Sequence, residues 1–201
     1  MKVITNMTIF VRKSKTVLLS LVLGNSKNLI ISLNLKRLEG MSFVKTIIIY
    51  ESVFGNTKKV ADTIRENLDH IEKNEIIIKS IKEVDPSEVL DYDLILFGSP
   101  NHMGGPTRGI KKLIDKLENI DLKGKKVATF DTYVRKNVNK AVRKMEQRIK
   151  EKIPDLELIT PGLSIKVNGV GGPIIETEFP KCVEFAKLII EKMKALDRNS
   201  F

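Results

Sequence analysis

The chain has 201 residues, with 35 Lys and Arg against 25 Asp and Glu, and a net charge of +10. This length fits one domain of ordinary size, and a hydrophobic content of 42% is enough to fill a core. A single cysteine excludes an intrachain disulfide, and one cysteine with two histidines excludes a Cys/His zinc cage. No apolar run reaches the roughly 18 residues that cross a bilayer. We therefore expect a soluble, cytoplasmic protein without a membrane span.

The first 40 residues differ from the rest in charge and in pattern. They contain seven basic groups and one acid, whereas the other 161 residues contain 28 basic and 24 acidic groups. Two apolar runs, 17–23 and 29–35, flank a polar stretch that begins with Gly24, a pattern that predicts a hairpin. No secretory cleavage site is evident. We predict a basic extension over residues 1–40, either peripheral or translated upstream sequence, and a functional domain over residues 41–201.

From Lys45 onward, short β-branched runs alternate with helical patterns. The predicted strands lie at 46–50, 75–81, 93–97, 126–130 and 156–167, the last interrupted by Pro161-Gly162. Apolar residues at helical spacing mark helices over 60–71, 110–117, 138–149 and 183–193, and Asp85 caps a further short one. Five βα units in a row predict a doubly wound α/β fold, a five-stranded parallel sheet with helices on both faces. Ligands of such sheets bind at the carboxyl ends of the strands.

The loop after the first strand combines a compact polar turn with the start of a helix. Ser52 and Thr57 offer hydroxyl donors, Gly55 permits a left-handed turn, and Asn56 can fix the loop by side-chain bonding. Unpaired amides at a helix N-terminus attract anions, so this loop is a candidate phosphate site. An ordinary βα turn capped by Thr57 is the alternative. The loop matches neither the Walker pattern nor the G-x-G-x-x-G pattern.

The loops after the third and fourth strands are the other candidates. Residues 98–107 are dense in Gly and Pro, which lets the backbone approach a flat ligand while limiting its disorder. Met103 offers a polarisable side chain that suits an aromatic ligand, whereas His102 alone is more typical of a solvated loop residue. Residues 130–133 either form a loop closed by Asp131 or complete the far side of a pocket.

Taken together, residues 47–57, 98–105 and 131–132 resemble flavodoxins and flavodoxin-domain proteins, over residues 45–196. The resemblance implies the flavodoxin-like strand order 2-1-3-4-5 and the cofactor FMN, with its phosphate in the first loop and its ring between the second and third loops. Three departures are a Phe at position 54, where flavodoxins typically have a hydroxyl residue, the absence of any Trp to flank the ring, and a charge of +4 over residues 41–201, where flavodoxins are usually acidic.

The resemblance implies a set of cofactor-binding residues and neither a catalytic residue nor a metal ligand. The set is Ser52, Val53, Phe54, Gly55, Asn56 and Thr57 in the first loop, Pro100, Asn101, His102, Met103, Gly104 and Gly105 in the second, and Asp131, Thr132 and Tyr133 in the third.

The expected function is that of an FMN-binding, flavodoxin-like electron-transfer protein, for which the +4 charge of residues 41–201 favours redox partners with acidic surfaces. The enzymatic alternative is an FMN-dependent reductase that uses NAD(P)H and quinone. A receiver-like signalling domain is a remote alternative, since it requires an acidic pair after strand one and an Asp after strand three, where this chain has Glu51 and Gly98-Ser99. We expect no nucleic-acid partner, because the lysines are interspersed with acids and lack an aromatic platform.

Overall fold

The computed structural model describes residues 6–11, 16–23, 27–34, 44–71 and 75–198. Contacts between Cα atoms divide the chain into one unit over residues 1–42 and a second over residues 43–201. The assignment of residues 1–40 as an extension without chemistry stays a prediction. No helix in the described part of the chain is long and apolar enough to span a membrane.

The first unit contains an antiparallel sheet of three strands in the order β1, β2, β3, which are Asn6–Val11, Thr16–Leu23 and Lys27–Asn34. Val17 pairs with Leu33 and Leu21 with Leu29, so β2 and β3 are antiparallel neighbours as the two apolar runs predict. Leu35, the last residue of the second run, lies outside the described residues.

The second unit is built on a parallel sheet. Its strands are β4 (Lys45–Tyr50), β5 (Glu75–Ser80), β6 (Leu94–Pro100), β7 (Lys126–Tyr133), β8 (Glu157–Leu158) and β9 (Leu163–Lys166). The order is β5, β4, β6, β7, and both β8 and β9 pair with β7 in parallel. Numbered within this unit, the order is 2-1-3-4-5, and the predicted fold class is confirmed.

The fifth strand position is shared by two short strands rather than occupied by one. Pro161 and Gly162 separate β8 from β9, since proline has no amide to donate to the ladder. Gly162 also fits where a side chain would collide with Val142 and Thr129. The interruption that the sequence shows therefore adds a sixth strand to the predicted five.

Four α-helices cover the sheet: α1 (Asn56–Ile71), α2 (Arg108–Lys116), α3 (Lys140–Lys152) and α4 (Phe179–Arg198). Apolar residues of α1 and α4 pack with Ile48 on one face, whereas those of α2 and α3 pack with Ile47 and Ile49 on the other. The short helix after β5 is a 3-10 helix, Pro86–Asp91, with Asp85 and Glu88 forming the capping box that the sequence indicates. Cys182 is buried in α4, and burial raises the pKa of its thiol to about 12, as expected of a packing residue.

Candidate functional site

A cleft of about 810 Å³ opens at the carboxyl ends of β4, β6 and β7. Three of the loops that line it follow these strands, at residues 51–57, 100–109 and 132–137, and a fourth follows β9 at 167–171. The sheet order brings these loops together because β4, β6 and β7 are neighbours whose parallel strands end at one edge. The cleft therefore opens at the strand ends to which the sequence assigns the candidate site.

The first loop presents unpaired hydrogen-bond donors to the cleft. Gly55 adopts a φ of 84°, and its carbonyl accepts the Lys59 amide at 2.9 Å, which starts α1. Among the described residues, the amides of residues 52–57 donate no hydrogen bond. Ser52 Oγ is buried and also lacks a partner there. Since a buried hydroxyl without a partner costs free energy, and free amides at a helix N-terminus attract anions, this loop fits an anionic group.

Two side-chain contacts fix the first loop to other elements. Thr57 is buried, and its Oγ1 lies 3.0 Å from Thr132 Oγ1 at the end of β7. Asn56 Nδ2 donates a 2.6 Å hydrogen bond to the Gly172 carbonyl, beyond β9. These two contacts thus anchor the first loop to the end of β7 and to the loop after β9.

The second loop contains a tight turn that places Met103 at the mouth of the cleft. The amides of His102 and Gly105 each donate to the other residue's carbonyl, at 2.8 and 3.2 Å. Met103 and Gly104 between them have φ angles of 52° and 79°, typical of a type I′ turn. Met103 is 92% exposed, so its apolar side chain is available to a ligand.

Asn101 ties the second loop to the third. Its backbone amide donates to the Thr132 carbonyl at 2.7 Å, and its Nδ2 donates to the Asn137 carbonyl at 3.0 Å. Its Oδ1 accepts the Gly104 amide at 3.0 Å. One asparagine therefore fixes the spacing of the two loops that border the cleft.

Glu51 contributes a carboxylate to the cleft at the start of α2. Thr107, the N-cap of α2, donates its Oγ1 hydrogen to Glu51 Oε2 at 2.5 Å, and its amide donates to Ser99 Oγ at 2.9 Å. Gly109 lies so close that any Cβ there would collide with the Glu51 carboxylate. In the sequence, Glu51 served only as evidence against a receiver-like domain. No role was assigned to Thr107, the last residue of the predicted loop.

The third loop reaches the cleft through Thr132, Val134, Arg135 and Asn137. Asp131 is fully buried, and its carboxylate accepts hydrogen bonds from Ser164 Oγ and, at 3.1 Å, from the Val142 amide. Burial raises the pKa of Asp131 to about 6, against the lowering effect of these bonds. Tyr133 is also buried, and burial raises the pKa of its hydroxyl.

Most of the predicted residues line the cleft, and some do not. Those that line it are Ser52, Val53, Phe54, Asn56, Thr57, Pro100, Asn101, His102, Met103 and Thr132. Those outside the lining are Gly55, Gly104, Gly105, Asp131 and Tyr133, of which the three glycines shape the turns.

The loop after β9 is the part of the site that the sequence reasoning missed. Gly169 and Gly171 have φ angles of 81° and 77°, and a Cβ on Gly171 would come within 3.3 Å of the Phe54 ring. Val170 is exposed at the edge of the cleft. Residues 168–172 contain three glycines, a density comparable to that of the second loop, and this pattern could have identified the loop as part of the site. Arg108 and Arg135, which also line the cleft, had no distinguishing pattern.

The fold and the site define a parallel α/β domain that can take an anionic group in its first loop and an apolar group beside Met103. The model of the flavodoxin domain family matches residues 47–161. A flavodoxin from Maridesulfovibrio salexigens is 30% identical over 136 residues, covering 62% of this chain and 86% of that protein. A flavodoxin from Aquifex aeolicus is 34% identical over 73 residues, and this match covers 36% of this chain and 40% of that protein.

A solved structure gives the same result over almost its whole length. The oxidised flavodoxin 2 of Bacillus cereus aligns with a TM-score of 0.64 and 35% identity, covering 74% of this chain and 99% of that one. This chain belongs to the flavodoxin family. The predicted class, a flavodoxin-like electron-transfer protein, is confirmed, and proteins of this family generally bind FMN and pass electrons to redox partner proteins.

Proposed function

We propose that the second unit binds FMN in the cleft and acts as an electron carrier of the cytoplasm. The observation that supports this most strongly is the row of unpaired amides at residues 52–57, with the buried Ser52 hydroxyl beside it. These donors have no partner among the described residues, and a phosphate would supply acceptors for several of them at once.

The phosphate-binding residues in this proposal are Ser52, Asn56 and Thr57, with Gly55 shaping the turn. Ser52 would donate its hydroxyl hydrogen, and the loop amides would donate theirs. No acid lies in the first turn of α1 to repel the anion. The contact between Thr57 and Thr132 would keep the loop in its binding geometry.

The ring-binding residues in this proposal are Pro100, Asn101, His102 and Met103 of the second loop and Thr132 of the third. Bound FMN supplies the electron-accepting chemistry, and this chain positions it. The exposed Met103 offers the polarisable surface that suits an aromatic ring. Asp131 and Tyr133 do not line the cleft, so their part is to support Thr132 from within β7.

The enzymatic alternative, a reductase that takes hydride from NAD(P)H and passes electrons to quinone, needs open space over the ring. The exposure of Val53 (67%) and of Met103 (92%) at the cleft is compatible with such space. Steady-state NAD(P)H oxidation with quinone distinguishes the two functions. We expect no turnover above the rate of free FMN, since a carrier exchanges electrons only with its redox partners. Turnover at several per second would support the reductase.

The direct test of the proposed function is stoichiometric retention of FMN. Purified protein is mixed with excess FMN, passed through a desalting column and assayed by its flavin absorbance. We expect about one FMN per chain. A protein that leaves the column colourless and does not quench FMN fluorescence at micromolar concentration would contradict the proposal.

A further inference from the structure

The mouth of the cleft concentrates the exposed apolar side chains of the second unit. Six large apolar residues of the described part of this unit are exposed, and four of them line the cleft: Val53, Phe54, Met103 and Val170. A fifth, Val138, follows the cleft residue Asn137 in the third loop. Apolar surface gathered at one place on a protein indicates an interaction site.

A group of exposed basic residues adjoins this apolar mouth, and we call it the basic face. It comprises Arg108, Lys111, Arg135, Lys136, Lys140 and Lys144. Arg108 and Arg135 line the cleft itself. Lys140 and Lys144 lie against the second loop. A Cβ atom on Gly104 would be 3.8 Å from Lys140 Cδ, and a Cβ atom on Gly105 would be 3.2 Å from Lys144 Cδ. The positive charge therefore reaches the edge of the cleft.

The positive charge of this face is only partly offset within the described part of the chain. None of the six residues takes part in an ion pair there. Asp115 attracts Lys111 but is bound to Arg148 at 2.6 Å, and Glu146 accepts the Gly162 amide at 2.8 Å. Glu51, the acid that lines the cleft, accepts the Thr107 hydroxyl.

The charge also differs between the two faces of the sheet. Helices α2 and α3 together contain ten basic and three acidic residues, a net of +7, whereas α1 and α4 contain eight basic and six acidic, a net of +2. The positive charge is thus concentrated on the face of the sheet that α2 and α3 cover. Such a field attracts negatively charged surfaces and speeds their association at low ionic strength.

We propose that the basic face and the apolar mouth together dock an acidic one-electron redox protein. This inference rests on the proposed function, because docking there would bring the partner's redox centre next to the bound flavin. In such a transfer the partner would be oxidised by one electron and bound FMN would be reduced by that electron, with any proton coming from water. The basic residues steer the approach, and the part of the apolar mouth that bound FMN leaves exposed forms the dry contact.

The test uses the full chain, a purified acidic [2Fe–2S] ferredoxin and cytochrome c, a basic haem protein. Stopped-flow rates are measured between the reduced ferredoxin and the FMN-loaded protein, and between the reduced flavoprotein and cytochrome c. We expect the ferredoxin rate to fall about tenfold between 10 and 300 mM salt. The cytochrome c rate should be low and should rise with salt.

The decisive variant is K140E/K144E, compared with R65E/K192E as a matched control. Both change the charge equally, but Arg65 and Lys192 are exposed on α1 and α4, across the sheet from α2 and α3. Glu at the start of α3 is compatible with the helix dipole, so the first variant should fold. We expect it to lose about tenfold of the low-salt ferredoxin rate while binding FMN as the unaltered protein does, and the control to lose less than twofold. Equal losses in both variants, or none in either, would overturn the docking proposal.

Calorimetric titration of ferredoxin into flavin-free protein separates this inference from the proposed function. If the protein bound no FMN, the proposed function would fail, and the titration of both variants would still decide the docking. We expect K140E/K144E to weaken ferredoxin binding about tenfold relative to the control. Identical affinities for the two variants would contradict the docking even if FMN were bound.

Discussion

Asn56 and Gly172 are 116 residues apart in the chain and are joined by a 2.6 Å hydrogen bond from the Asn56 side-chain amide to the Gly172 carbonyl. This bond connects the candidate phosphate loop to the glycine-containing loop after β9. The Phe54 ring lies beside Gly171 in the same region. The two loops therefore support each other, although neither belongs to a helix or a strand over most of its length.

Asn56→Ala should lower the free energy of unfolding by about 1 kcal/mol, the usual contribution of one such hydrogen bond. It should also weaken FMN binding, since the first loop loses a support. Urea unfolding and fluorescence titration measure the two effects. Asn67→Ala is the control, because Asn67 makes a comparable bond to Thr63 within α1. If Asn67→Ala weakened FMN binding as much, the connection between the loops would have no special role.

Ser52→Ala should weaken FMN binding about tenfold or more and leave riboflavin binding unchanged. The Ser52 hydroxyl is buried without a partner, and a hydrogen bond to a charged phosphate contributes about 1.5 to 3 kcal/mol. Thr160→Ala is a matched control, because Thr160 Oγ1 is likewise buried and unpaired among the described residues but lies outside the cleft lining. Equal losses for FMN and riboflavin would show that Ser52 does not face the phosphate.

Loss of the proton from Asp131 should lower the free energy of unfolding as the pH rises from about 4 to about 7. Its pKa is raised from 3.8 to about 6 by burial, so the folded state binds a proton that the unfolded state releases in this window. The stabilising effect of that proton is complete below pH 3.8 and is lost as the pH rises through 6. At about 1.4 kcal/mol per pH unit, the loss amounts to about 3 kcal/mol.

Asp131→Asn removes this titration and keeps the shape of the side chain. Urea unfolding of both proteins at pH 4, 5, 6 and 7 should show the unaltered protein losing stability relative to the variant as the pH rises. Parallel pH profiles for the two proteins would mean that Asp131 titrates as it does in the unfolded chain.

Gly109→Ala should destabilise the domain by about 1 to 3 kcal/mol, because the added methyl group would collide with the Glu51 carboxylate. Glu51→Ala removes the obstacle along with the hydrogen bond from Thr107. In the double variant, the alanine at position 109 should therefore cost much less than it does alone. Strictly additive unfolding free energies would show that the two residues do not compete for the same space.

The strands could be predicted because their signals are local, whereas the order of the strands came from the family resemblance. The run Ile47-Ile48-Ile49 is fully buried, as an apolar run of strand length predicts for a strand covered on both faces. The loops after the first, third and fourth strands meet because the strand order places β4, β6 and β7 side by side. That order depends on pairing between residues distant in sequence, which no local pattern shows.

The residues that were missed depend on distant contacts or on side-chain direction. Glu51 meets Thr107 across 56 residues, a relationship that no local pattern shows. Side chains alternate along β7, so Thr132 meets Thr57 while Asp131, one residue earlier, contacts Ser164 and Val142. That alternation was available in the sequence and argues against placing all three residues 131–133 in one pocket.

The measurement that tests the central claim most directly is the affinity of the unaltered protein for FMN and for riboflavin, by fluorescence titration in one buffer. The two ligands share the ring and differ in the phosphate, which we assign to the amides of residues 52–57. We predict that FMN binds at least about a hundredfold more tightly, since two or more hydrogen bonds to a charged group are lost with riboflavin. Equal affinities, or no binding of either ligand, would contradict the account.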